Sequence, residues 1–93
     1  MPNSPFLGLR TCIYRVTDLA AATRWYTDML GFPPYFDQPF YVGFEVGGYE
    51  LGLNPTDEPL VTGNNVEVYW GVADVQTAYQ QLLGKGATAH EAP

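Results

Sequence analysis

The chain has 93 residues, of which 46 % are hydrophobic, 15 % aromatic and 15 % charged, a composition too rich in aromatic and β-branched side chains for a disordered tail. That length supports one domain, burying about 60 to 70 % of its unfolded surface, and excludes two. Four basic residues against ten acidic ones leave a formal net charge of -6, which repels phosphate backbones and anionic lipid surfaces and argues against nucleic acid or membrane as partners.

The opening segment MPNSPFLG has no basic region leading into an apolar run. No stretch approaches the ~18 apolar residues that a membrane span needs, so the expectation is a soluble cytoplasmic protein. From Leu7 to Val16 apolar and β-favouring residues predict a strand, which ends at Thr17-Asp18. Its single cysteine, Cys12, cannot form an internal disulfide and reads as a small hydrophobe. Asp18 is placed to cap a helix by accepting from first-turn N–H groups. Leu19, Ala22, Tyr26, Met29 and Leu30 then recur at helical spacing on one face, and Gly31 is the expected left-handed terminator.

From Phe32 to Pro55 the text is strand language broken by Pro33-Pro34, by Asp37-Gln38-Pro39, by Gly47-Gly48 and by Asn54-Pro55. Three strands fit, near Pro34–Phe36, Phe40–Val46 and Tyr49–Leu53, the last two forming a hairpin at the glycine pair. A polar connector follows. Val66 to Val72 then predicts another strand, Asp74 another N-cap, and Val75, Ala78, Tyr79, Leu82 and Leu83 the buried stripe of a second helix ending at Gly84 or Gly86. Val16 falls on Val72 and Asp18 on Asp74 with the same 56-residue shift, which points to an internal structural repeat.

The segments YRVTDLAAATRWYTDMLGF, GGYELGL and VYWGVADVQTAYQQLLGKGA, in this order and spacing, resemble the vicinal oxygen chelate superfamily of glyoxalases, bleomycin-resistance proteins and extradiol dioxygenases. The resemblance implies an α+β fold of paired βαβββ modules whose sheets curve into a cleft for a small ligand, often over a divalent metal. Residues 1–93 would be one domain, with a first module at 7–54 and the start of a second at 65–93. The second module would stop in its early strands, so that the chain is truncated or another chain completes the sheet, because an open edge invites pairing.

The resemblance also implies site positions. Metal ligands in the family lie five residues before the valine of each V-x-D and on the fourth strand of each module. The first rule gives Thr11 and Glu67, and the fourth strand gives Glu50 in GYELGL; the last position falls outside these residues. Glu50 and Glu67 are the candidate metal ligands. Without the histidines common in the enzymes, the expectation is no cofactor or a divalent ion such as Mg, Mn, Ni or Zn, an all-oxygen set favouring Mg or Mn.

Strand alternation supplies an independent reading, since residues two apart share a face. Thr11, Ile13 and Arg15 form one face of the first strand, and Glu67, Tyr69 and Gly71 one face of its repeat. Cys12, Tyr14, Val16, Val68, Trp70 and Val72 form the packing faces. Tyr41 and Tyr69 are the candidate cleft aromatics. If Glu50 and Glu67 converge, one pKa rises or a cation such as Arg15 sits between them; the alternative is that both are solvated. His90 reads as a surface residue, Trp25 and Tyr26 as core or interface.

Three functions fit. The first is a small-molecule-binding protein without a tightly bound metal. The second is a divalent-metal-dependent lyase, isomerase or dioxygenase using Glu50 and Glu67. The third is an assembly module, a homodimer being expected in any case.

Overall fold

The computed structural model describes residues 4–93; residues 1–3, part of the segment read for a leader, lie outside the described residues. The chain divides into two compact units, the first ending at Leu60 and the second running from Val61 to Pro93.

In the first unit the elements are β1 (Thr11–Val16), α1 (Leu19–Leu30), β2 (Phe36–Gln38), β3 (Tyr41–Val46) and β4 (Tyr49–Pro55). They form one sheet of order β1-β4-β3-β2. β1 lies parallel to β4, while β2–β3 and β3–β4 are antiparallel. The β3–β4 turn is the predicted hairpin: Gly47 and Gly48 both have positive φ, 57° and 91°, which a two-residue turn matched to strand twist demands. The β1-to-β4 pairing cannot close by a hairpin, because parallel strands need a crossover, and α1, β2 and β3 supply it.

α1 starts where Asp18 accepts from the Ala21 N–H at 3.0 Å. It stops at Gly31, whose N–H still reaches the Thr27 carbonyl and whose φ of 84° then turns the chain out of the helix. One stripe of the helix covers one face of the sheet. Val42, Phe44, Leu51 and Leu53 are buried there, with Tyr14, Val16, Leu19, Ala22, Tyr26, Leu30 and Val46 packed around them. Each fully buried apolar side chain contributes about 1.5 to 3 kcal/mol over exposure. Met29 is half-buried but outside this cluster. Tyr26 packs against Tyr14, Trp25 and Phe44, and burial, aided by Tyr14, raises its pKa. Cys12 is half-buried and free.

The second unit departs from the expectation. Residues 66–72 carry no strand ladder, although their apolar alternation copies β1, because a strand exists only where backbone groups find a partner. The helix does form: α2 (Val75–Gly84) is capped by Asp74, which accepts from Gln76 and Thr77. Its predicted buried stripe is not buried, for no sheet underlies it within this unit; Val75, Leu82 and Leu83 are exposed and Ala78 and Tyr79 half-buried. The fold is thus α+β: one complete βαβββ module followed by the opening part of a second.

Among the described residues no helix is long and apolar enough to cross a membrane.

Candidate functional site

Alternation sends every second residue of the sheet to the face opposite α1. In β1 these are Thr11, Ile13 and Arg15, all exposed, while Cys12, Tyr14 and Val16 turn toward the helix. Registration extends the face across the sheet: Thr11 pairs with Glu50 and Ile13 with Gly52, Gly52 with Gly43 and Glu50 with Glu45, and Gly43 with Phe36.

The two paired glycines leave a bare strip of backbone, and two tyrosines fill it. A Cβ on Gly52 would collide with the Tyr41 ring and hydroxyl, and one on Gly43 would press on the Tyr35 ring at 3.2 Å. Glycine in a strand interior often marks such a close approach. Lying over the sheet, both rings deliver their hydroxyls to one acceptor. Tyr35 donates to Oε1 of Glu50 and Tyr41 to Oε2. Phe36 stands beside Tyr41, ring centroids 6.1 Å apart.

The electrostatics follow from those bonds. Hydrogen bonds from Tyr35 and then Tyr41 stabilise the ionised Glu50 carboxyl and hold its pKa below the ordinary value, with Arg10 adding to them. The same bonds favour neutral phenols. Tyr41 is pushed up to about 12, by desolvation first and the Glu50 bond second. Tyr35 is raised chiefly by its bond to Glu50.

The sheet therefore brings Thr11, Ile13, Arg15, Tyr41 and Glu50 onto one face. The groups that hold Glu50 charged are the two phenols and Arg10, where the sequence suggested Arg15 as the helper. Tyr35 escaped the sequence reading although its strand was placed; the signal was the pair of glycines at 43 and 52 in otherwise bulky strands. Glu67 and Tyr69 lie in the second unit, both exposed, where the Tyr69 hydroxyl donates to the Glu67 carboxylate at 2.8 Å.

A divalent ion is the group the resemblance implies. The donors around Glu50 do not suit one: its carboxylate already accepts a phenol on each oxygen, the register neighbour Glu45 is turned to the Gly48 N–H of the hairpin, and the neighbouring Thr11 offers only a neutral hydroxyl. Among the described residues no group of three or more His, Cys, Asp or Glu side chains is placed to share an ion. A wide depression at the C-terminal end of α1, lined by Thr27, Asp28, Phe32 and Asp37 among others, shares no residue with the Glu50 cluster.

The fold is shared with solved structures. The chain is similar to the solution structure of protein ATC0852 from Agrobacterium tumefaciens, with a TM-score of 0.73 and 23 % identity over 95 % of this chain and 79 % of that one. It is also similar to a structure described as a conserved domain protein, with a TM-score of 0.69 and 18 % identity over 94 % of this chain and 77 % of that one. No curated protein matches it. The family model described as Glyoxalase/Bleomycin resistance protein/Dioxygenase superfamily matches residues 8–93. With its complete βαβββ module and the opening of a second, the chain belongs to that superfamily, the vicinal oxygen chelate group.

Proposed function

We propose that this protein binds a small organic molecule on the sheet face opposite α1, without a tightly bound metal. The observation that carries the reading is the Tyr35–Glu50–Tyr41 network laid over Gly43 and Gly52. It combines apolar rings with a fixed, ionised carboxylate, the mixture of area and orienting polar groups that ligand sites use. Thr11, Ile13 and Arg15 lie on the same face of β1, and Glu67 and Tyr69, joined to each other by a hydrogen bond, are the corresponding groups of the second module. The exposed run Val66, Val68, Tyr69, Trp70 and Val72 supports a homodimer, for which light scattering of the full chain is the check.

Thermal unfolding across a panel of small aromatic amines, alcohols and acids, with and without Mg, Mn, Ni and Zn, tests the reading. The expected result is stabilisation by at least one organic compound without metal, abolished in Glu50→Gln. Stoichiometric metal in protein purified without chelator, lost in Glu50→Gln, would overturn it in favour of metal-assisted chemistry.

A further inference from the structure

We propose that the ligand is an organic cation, a protonated amine carried on an aromatic or apolar body, seated on Tyr35 and Tyr41 with Glu50 as its counter-ion. This rests on the binding face just described and names the chemistry that face selects.

The directions of the protons carry the inference. Each phenol spends its only O–H on Glu50, so every polar atom left in the cluster is an acceptor: two phenolic oxygens and two carboxylate oxygens. An incoming anion or pure acceptor finds no O–H left to donate on these three side chains. An ammonium group finds acceptors with an ionised centre, and beside them two aromatic rings, the surfaces on which cations are held by the ring quadrupole. The glycine floor fixes the rings, since Tyr41 lies on Gly52 and Tyr35 on Gly43, and Tyr35 remains 63 % exposed.

The charges nearby agree. Glu45 registers beside Glu50 on the same face and accepts from the Gly48 N–H, at 2.7 Å. Arg10 lies close enough to favour the ionised Glu50, which makes it the natural competitor for the place an external cation would take. Arg15 sits at the far end of its strand, registered with Asn54.

Titration of the full chain with benzylamine, benzyl alcohol and benzoate, followed by amide and tyrosine-ring NMR, separates this proposal from the reading beneath it. Benzylamine is expected to perturb Tyr35, Tyr41 and Glu50 and to bind at least about tenfold more tightly than either of the others. Glu50→Gln should weaken it by a similar factor, and Arg10→Ala should tighten it. Benzyl alcohol or benzoate binding the same residues as tightly would overturn the cation and leave the binding face standing. No binding by any of the three would overturn both. Should Glu50→Gln lose its amide dispersion, the order of the three probes in the unaltered protein and the Arg10→Ala response still decide.

Discussion

The Tyr41 hydroxyl occupies the space into which a Cβ on Gly52 would project, and from that position it donates to Glu50. Gly52→Ala must therefore lift the ring and break the bond. The variant should lose about 1 to 3 kcal/mol, the usual cost of overpacking, and the Tyr41 pKa should fall from about 12 toward the ordinary phenol value. Gly43→Ala, whose Cβ would touch only the edge of Tyr35 at 3.2 Å, should do less. Phenolate absorbance across an alkaline titration measures both; an unmoved Tyr41 in Gly52→Ala would contradict the arrangement.

The same network makes stability depend on pH at both ends. Glu50 has a lowered folded pKa, so its contribution is present above the unfolded carboxyl value and is lost as pH falls through the lower folded one. Tyr41 has a raised folded pKa of about 12, so its contribution is complete below the unfolded phenol value and is lost as pH climbs toward about 12. Urea midpoints of the unaltered protein and of Tyr41→Phe should differ at neutral pH and converge at the alkaline limit. Glu50→Gln should flatten the acid limb.

Phe44 and Leu53 are fully buried between α1 and the sheet. Phe44→Ala should cost about 3 to 5 kcal/mol and Leu53→Ala about 2 to 5 kcal/mol, against a total stability of about 5 to 14 kcal/mol for a domain this small. Ile13→Ala, on the open face and 52 % exposed, should cost far less. Urea denaturation ranks the three.

Asp18 closes the first turn of α1 through the Ala21 N–H. Asp18→Ala should cost about 1 kcal/mol, and Asp18→Asn much less because an amide oxygen caps nearly as well. Equal losses in the two would show that something other than the cap is being measured.

The first unit was legible because its signals agree at every level. Asp18, the helical stripe and Gly31 bound α1, and the glycine pair at 47 and 48 fixes the β3–β4 hairpin. The alternation that put Thr11, Ile13 and Arg15 on one side of β1 is the alternation observed. Boundaries were less legible: β2 begins at Phe36 and not at Pro34, since proline has no N–H to give a ladder, and the first β3–β2 bond, Tyr35 N–H to the Gly43 carbonyl, comes only after the proline pair. The failure lay in residues 66–72. Their sequence repeats β1, yet pattern determines only which faces a strand would have, and pairing depends on a partner strand that no local signal supplies. The Tyr35–Glu50 bond was invisible for a related reason, being a contact across fifteen residues of chain set by sheet register.

The binding face is the central claim, and mapping a ligand onto it is the direct test. Amide NMR of the full chain, titrated with a panel of small aromatic compounds, should show perturbations gathered at Thr11, Ile13, Arg15, Tyr35, Tyr41 and Glu50. Perturbations confined to the helix side, at Thr27, Asp28 and Phe32, would contradict it.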